Sequence, residues 1–170
     1  AITCPASVTG AGVGASQLMF TLTANAVAIT FTDATLTDQK RISDLSINST
    51  VSTSGSIGVG IYGSATVKAS QLYGFRAERL HIQNFELGVH LQNARNGVID
   101  NVTVVGASGF YAEGVCVMAT LSNCTAWGGN FGGAKTLFSG ESVGFYVGGR
   151  TYATGGYGRP EDVSIDRPWA

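Results

Sequence analysis

Apolar and polar residues alternate in short runs along most of this 170-residue chain. Four runs share one form, in which glycine is followed by an apolar residue, any residue, and then an apolar residue or glycine. They are Gly60-Ile61-Tyr62-Gly63, Gly88-Val89-His90-Leu91, Gly114-Val115-Cys116-Val117 and Gly144-Phe145-Tyr146-Val147, which begin 28, 26 and 30 residues apart. A fifth copy, Ala28-Ile29-Thr30-Phe31, lacks the glycine. Alternation with a period of two predicts a β-strand in each run.

A second series of strand-like runs lies between the members of the first. Its members are Asp44-Leu45-Ser46-Ile47, Arg79-Leu80-His81-Ile82, Asn101-Val102-Thr103-Val104, Asn123-Cys124-Thr125-Ala126 and Asp162-Val163-Ser164-Ile165. Four of these five runs begin with Asp or Asn, which favour a bend before the strand. Because the two series alternate strictly, each repeat is predicted to be a coil that contains at least two short strands.

Stacked coils of this kind pair strand on strand in parallel and bury one continuous core. The first inner ladder is predicted to contain Ile61, Val89, Val115 and Phe145, and the second to contain Leu45, Leu80, Val102, Cys124 and Val163. Leu80, Ile82, Val102 and Val104 are expected to form one buried column. The predicted fold is therefore an all-β, right-handed parallel β-helix of about five coils with irregular ends. A β-sandwich is the alternative, because it also has short strands separated by turns.

A single β-helix domain is predicted over residues 1–170, with coils over about 8–147 and an irregular cap or clasp over 148–170. The chain begins inside strand-like sequence, so it is expected to be part of a longer protein. With 44% hydrophobic and 12% charged residues, the composition is typical of an ordered domain. The presence of 24 glycines favours strands and turns.

Charge and cysteine content exclude several partners and cofactors from the prediction. A net charge of -1, without a basic block, argues against binding to nucleic acid. No apolar stretch is long enough to span a bilayer, so membrane insertion is not expected. The three cysteines Cys4, Cys116 and Cys124 are odd in number and lack a C-x-x-C pair. They therefore predict neither a disulfide framework nor a zinc site, and no metal or cofactor is expected.

One pair of acidic residues has the spacing of a possible catalytic site. Glu78 and Asp100 each precede a predicted inner residue by two positions, so adjacent coils would place their carboxylates roughly 5 Å apart. That separation is close to the one that retaining glycosidases use. The alternative is a structural role at a polar bend, in contact with Arg76, Arg79 or Arg95.

Aromatic residues at outward positions form the second candidate site. Tyr62, His90, Cys116 and Tyr146 are predicted to line up on consecutive coils, where the rings could lie against sugars. Trp127 lies in the longest insertion, Ala126–Ser142, and Tyr152, Tyr157 and Trp169 lie near glycine-rich turns in the C-terminal region. The candidate carbohydrate-binding residues are Tyr62, His90, Tyr146 and Trp127. The alternative for the same surface is a contact between subunits.

Several segments resemble coils of the pectate-lyase-like parallel β-helix superfamily, which includes phage tailspikes and capsular depolymerases. Thr9-Gly10-Ala11-Gly12 and Leu18-Met19-Phe20 resemble the opening coils of those proteins. Arg41-Ile42-Ser43-Asp44-Leu45-Ser46-Ile47-Asn48, Gly60-Ile61-Tyr62 and Leu80-His81-Ile82-Gln83-Asn84-Phe85 resemble later ones. The resemblance covers about residues 8–147 and rests on motifs that many β-helix proteins share.

The resemblance implies a homotrimeric component of a phage tailspike or tail fibre, located in the virion beside other tail proteins. Such a protein would bind a bacterial surface polysaccharide. The alternatives are a depolymerase, which would be a polysaccharide hydrolase of the endoglycosidase type, and a secreted bacterial adhesin or polysaccharide-active protein. A calcium-dependent lyase is not supported, because the sequence shows no cluster of Asp residues beside an Arg or Lys base.

Overall fold

A computed structural model of the chain describes residues 1–3, 7–32, 40–63, 72–128, 131–152 and 157–170, so Cys4 lies outside the described residues. These residues form short strands and one 3-10 turn, Leu137–Gly140. In chain order the strands are β1 Ile2–Thr3, β2 Val8–Thr9, β3 Gln17–Phe20, β4 Val27–Thr32, β5 Arg41–Ser49, β6 Ile57–Tyr62, β7 Leu72–Tyr73, β8 Arg76–Gln83, β9 Leu87–Gln92, β10 Ala94–Arg95, β11 Val98–Gly106, β12 Ser108–Glu113, β13 Thr120–Ser122, β14 Thr125–Gly128, β15 Phe145–Gly148, β16 Arg150–Thr151, β17 Tyr157–Gly158 and β18 Ser164–Asp166. The predicted all-β class is confirmed.

The chain alternates between two parallel sheets. Sheet 1 has the strand order β1-β4-β6-β9-β12-β15. Sheet 2 has the order β18-β13-β11-β8-β5-β2, with β3 also paired to β5 and β14 also paired to β11. The described pairings within these sheets are all parallel. Each complete repeat therefore contributes a strand to both sheets.

A third parallel ladder is shorter. Strands β7 and β10 pair Tyr73 with Arg95, and single bridges continue from Arg95 to Val117 and from Val117 to Glu161. Strands β16 and β17 form the antiparallel pair among the described strands. The segment from residue 148 onward, which was predicted to be a cap, contains this antiparallel pair together with β18, which extends sheet 2.

Residues with positive φ mark the bend in the middle of each sheet 2 repeat. They are Asp44 (φ 62), Arg79 (φ 51), Asn101 (φ 52), Asn123 (φ 52) and Arg167 (φ 50). Asp and Asn tolerate this left-handed conformation better than other residues with a Cβ atom. The bend joins the two short strand segments of each repeat, and both segments bury apolar side chains in the same core.

The interior between the sheets is a continuous apolar core. The predicted column of Leu80, Ile82, Val102 and Val104 is confirmed, because each of these side chains is at most 1% exposed. Val102 pairs with Leu80 and Val104 pairs with Ile82 in adjacent strands. These alternate positions point inward because successive side chains of a strand point to opposite faces.

The sheet 1 register differs from the predicted ladder at Val115 and Ile61. Val59, Val89, Phe110 and Phe145 are in register, so Phe110 occupies the position predicted for Val115. The step from Val89 to Phe110 is 21 residues, whereas the step from Phe110 to Phe145 is 35. Strand β12 ends at Glu113, and Gly114 turns the chain with a φ of 73°.

Ile61 is inward but pairs with Leu91, not with Val89. A shift of two residues keeps a side chain on the same face of a strand, so the predicted burial of Ile61 was right although its partner was wrong.

The last member of the second ladder was also placed in the wrong register. Strand β18 pairs Ser164 with Thr120, so Val163 lies level with Ala119 and not with Cys124. Asp162, with a φ of 54°, lies beside Met118 in the bend that follows the third ladder. Arg167 takes the bend position that was predicted for Asp162, because the insertions between repeats differ in length.

Candidate functional site

Four positions on the outer face of sheet 1 are in register and place three rings in a row. Gly60, His90, Tyr111 and Tyr146 pair from β6 through β9 and β12 to β15. His90 and Tyr111 stack with a centroid distance of 5.0 Å and an interplanar angle of 5°. Tyr111 meets Tyr146 edge-on, with a centroid distance of 4.7 Å. Parallel strands lie about 4.8 Å apart, so rings at the same register position are held in contact.

A second row on the same face adds polar groups beside the rings. Tyr62 Oη lies 3.2 Å from His90 Nδ1, and His90 Nε2 lies 3.1 Å from Glu113 Oε1. The Tyr111 hydroxyl donates to Glu113 Oε2 at 3.1 Å. Arg150 Nη1 donates to Glu113 Oε1. We call Tyr62, His90, Tyr111, Glu113, Tyr146, Arg150 and Phe138 the ring cluster.

The ionisable side chains of the ring cluster shift each other's pKa values. Burial raises the pKa of Glu113, but hydrogen bonding by His90, the charges of His90 and Arg150, and the Tyr111 hydroxyl together lower it below its usual value. A carboxylate can only accept hydrogen bonds, so His90 Nε2 is the donor to Glu113. Burial raises the pKa of Tyr62, so its hydroxyl keeps its proton. This hydroxyl donates a hydrogen bond to His90 Nδ1 when the imidazole is neutral and accepts one when the imidazole is protonated.

Phe138 reaches the cluster from the long segment between β14 and β15. Its ring lies 5.0 Å from that of Tyr111 and 5.6 Å from that of Tyr146. Phe138 and Ser139 have positive φ values of 48° and 56°, a conformation that costs energy in residues with a Cβ atom. The surrounding contacts must therefore hold this turn in place.

A buried carboxylate supplies much of that restraint. Glu86 is 1% exposed and accepts hydrogen bonds from the backbone N–H groups of Gly55, Thr136 and Leu137 and from the Thr136 hydroxyl. Glu86 thus joins the segment before Phe138 to the turn before β6. This contact is formed between residues far apart in the sequence.

The structure brings together three of the four predicted carbohydrate-binding residues. Tyr62, His90 and Tyr146 belong to the ring cluster, whereas Trp127 lies on β14 in sheet 2. The prediction that Cys116 lies in the outward row is wrong. Cys116 is a free, fully buried thiol, and burial raises its pKa.

Sequence reasoning missed Tyr111, Glu113, Arg150 and Phe138. The alternation of Phe110-Tyr111-Ala112-Glu113 carries the signal for a strand, with Tyr111 and Glu113 on its outward face. The prediction instead assigned the strand to the glycine-led run that follows. Arg150 and Phe138 lie outside regular repeats, so no spacing rule identifies them.

Glu78 and Asp100 are paired in adjacent strands of sheet 2, at the register position that was predicted for them. Three guanidinium groups surround Glu78, namely Arg41 at 2.6 Å, Arg76 at 3.4 Å and Arg79 at 3.6 Å.

Asp100 accepts hydrogen bonds from Ser122 at 2.7 Å and Asn123 at 2.8 Å, and both lower its pKa. A lowered pKa suits a base or a nucleophile and not a general acid.

Among the residues that the structure describes, no group of three or more His, Cys, Asp and Glu side chains could hold a metal ion. Within the same part of the chain, no helix is long and apolar enough to cross a membrane. Compared with protein-family models and with curated proteins, the sequence matches none of them. The candidate function therefore rests on the geometry of the chain itself.

Proposed function

We propose that the chain is a segment of a right-handed parallel β-helix. The support is the strict alternation of its strands between sheet 1 and sheet 2, together with parallel pairing throughout the described parts of both sheets. A β-sandwich is built mainly from antiparallel strands, and its connections do not visit two parallel sheets in turn. Parallel strands with a crossover connection are right-handed in nearly all proteins, which gives the proposed hand.

The proposed function is binding of a bacterial surface polysaccharide along the outer face of sheet 1. The observation that carries this proposal is the in-register row of His90, Tyr111 and Tyr146, with Tyr62 and Arg150 at its edge. Aromatic faces suit the C–H faces of sugars, while hydroxyl and guanidinium groups suit sugar hydroxyls. Tyr146 is 40% exposed, so its ring offers the most accessible contact.

The ring cluster is better suited to binding than to proton transfer. His90 and Arg150 are each already paired with Glu113, so a substrate would have to displace one of these contacts before any of the three side chains could act on it. A preorganised network of this kind fixes the orientation of the rings, which reduces the entropy lost when a ligand binds.

Polysaccharide binding can be tested by measuring the affinity of the protein for purified bacterial capsules. Tyr146→Ala should lower the affinity about tenfold, because it removes one stacking ring worth about 1 kcal/mol or slightly more. Tyr73→Ala is the matched control, since Tyr73 lies in the third ladder beside Arg95 and away from the ring cluster. Equal affinities for the wild type and Tyr146→Ala would exclude the ring cluster as the binding surface.

A second candidate function is hydrolysis of the same polysaccharide by Glu78 and Asp100. Their pairing in adjacent strands favours it, because this places the two side chains about one strand spacing apart. Glu78→Gln and Asp100→Asn should each abolish the release of oligosaccharides while leaving the fold intact. Unchanged turnover in either variant would rule out the pair.

The proposed setting is a homotrimeric tailspike or tail fibre of a phage virion, with a secreted bacterial protein as the alternative. This proposal extends the sequence resemblance. A neighbouring subunit would also cover Val147, which pairs with the inward Ala112 but is 43% exposed because β15 is the last strand in the order of sheet 1. Light scattering at micromolar concentration should give the mass of three chains. A stable monomer would contradict the trimer and leave the ring cluster free for glycan.

A further inference from the structure

Both tryptophans of the chain lie on one face of sheet 2, away from the ring cluster. Trp127 is 70% exposed and Trp169 is 75% exposed, which makes them the most exposed large apolar side chains among the described residues. Trp169 pairs with Thr125 through a parallel bridge, and Trp127 follows Thr125 by two residues. Both rings therefore stand on the outer face, because the intervening Ala126 and the neighbouring Cys124 are buried.

The two rings flank an open cleft, whose remaining lining consists of Thr125, Ala126, Gly128 and Ala170. The backbone around it is held firmly. Trp169 N–H donates to the Cys124 carbonyl at 3.0 Å, and Ala126 N–H donates to the Trp169 carbonyl at 2.7 Å. These bonds fix the spacing of the two backbone segments that carry the indole groups, so both rings are attached to the same rigid edge of the sheet.

Two rows of uncharged side chains lead from this cleft along the same face. In the first row Trp169 is followed, strand by strand, by Thr125, Thr103 and His81. The row ends there, because the next residue in register, Ser46, is buried and its hydroxyl donates to the Val13 carbonyl at 2.6 Å. In the second row Trp127 is followed in the same way by Val105, Gln83 and Asn48.

Nearby charges are already paired, since Arg79 donates to both carboxylate oxygens of Asp44 at 2.5 and 2.8 Å. The face therefore presents hydroxyl, amide and imidazole groups beside two indole rings.

We propose that the tryptophan cleft is a second saccharide-binding subsite, which holds a neutral hexose chain lying along these two rows. Indole faces contact the apolar faces of sugar rings, and the uncharged polar rows exchange hydrogen bonds with sugar hydroxyls without having to desolvate a charge. The inference rests on the proposed polysaccharide binding and assigns it a second face and a ligand class.

Intrinsic tryptophan fluorescence tests the subsite selectively, because the chain has two tryptophans and both line this cleft. The protein is titrated with maltoheptaose, cellohexaose and a galactomannan oligosaccharide, and acrylamide quenching is measured with and without each sugar. At least one of these neutral sugars should shift the emission and protect the indoles from acrylamide. Trp127→Ala should weaken the binding about tenfold as reported by Trp169, while Trp127→Phe should restore most of it. Tyr73→Ala should leave the titration unchanged.

Three results would overturn the proposal: a flat titration with all three sugars, equal affinity in Trp127→Ala and the wild type, or indole protection that grows with protein concentration in the absence of sugar. The third result would show that a second copy of the chain covers the cleft. Failure of the ring cluster is detected separately, because it appears as unchanged capsule affinity in Tyr146→Ala and not in the fluorescence titration.

Discussion

The two sheets hold their outward side chains in different ways. On sheet 1 the ring cluster is a connected network, in which Glu113 contacts His90, Tyr111 and Arg150. On sheet 2 each repeat bends at a residue with positive φ, and neighbouring repeats are joined by small separate groups of contacts, such as the surface pair of Asp44 and Arg79. The outward side chains of sheet 1 therefore depend on one another as one network, whereas those of sheet 2 interact in small separate groups on a repeated backbone conformation.

This difference has consequences for substitution. A change in the ring cluster alters several partners at once, because Tyr111 alone contacts the rings of His90, Tyr146 and Phe138. A change at a bend affects the strain of one residue and its nearest neighbours. Binding and stability should consequently be coupled on sheet 1 and separable on sheet 2.

The largest effect is expected from Glu113→Ala. The Glu113 side chain is 10% exposed, and its removal leaves Arg150 and His90 without their shared acceptor. Breaking a buried ion pair from one side costs about 3 kcal/mol of the free energy of unfolding, measured by urea denaturation. Asp44→Asn is the comparison on sheet 2, and it should cost much less because the pair with Arg79 lies at the surface. Equal losses in the two variants would contradict the contrast between the sheets.

Alkaline pH should destabilise the ring cluster. Burial, the charge of Glu113 and the hydrogen bond between Tyr111 and Glu113 raise the pKa of Tyr111 from 10.0 to about 12. Burial raises the pKa of Tyr62 as well. The folded state thus favours the neutral phenols, whereas the unfolded chain ionises near pH 10. Stability that is present below pH 10 should be lost as the pH rises towards about 12.

The measurement is the free energy of unfolding in urea at about pH 9 and about pH 11.5. Combining Tyr62→Phe with Tyr111→Phe should reduce the loss between the two pH values. The hydrogen bonds from Arg79 lower the pKa of Asp44 to about 2, so Asp44 should contribute nothing to a change in this alkaline range. An undiminished alkaline loss in the double variant would show that other groups cause it.

The smallest effect is a gain in stability at a bend. Met118 has a φ of 52° and a side chain that is 46% exposed. Met118→Asn should raise the free energy of unfolding by about 1 kcal/mol, because Asn tolerates the left-handed conformation better than Met. Met19→Asn is the matched control, since Met19 is also exposed but lies in β3, where Asn is disfavoured. A higher free energy of unfolding in Met19→Asn, or a lower one in Met118→Asn, would show that backbone strain at Met118 does not reduce stability.

The sequence by itself determined the alternation of two strand series over most of the repeats, the buried column of Leu80, Ile82, Val102 and Val104, and the tendency to bend at Asp44, Asn101 and Asn123. Alternation and turn preference are local properties, so they can be recognised without knowing which strands pair. The same local pattern correctly placed Tyr62, His90 and Tyr146 on the outside.

Tertiary structure decided the register and therefore the membership of the ring cluster. Repeats of 21 and 35 residues follow one another, and a glycine-led run can mark a bend as readily as a strand, as at Gly114. Tyr111 consequently replaced Cys116 in the outward row. The contacts of Glu113 with Arg150 and of Phe138 with Tyr111 join repeats to segments of irregular length, whose positions are fixed by packing and long-range hydrogen bonds and not by a sequence period.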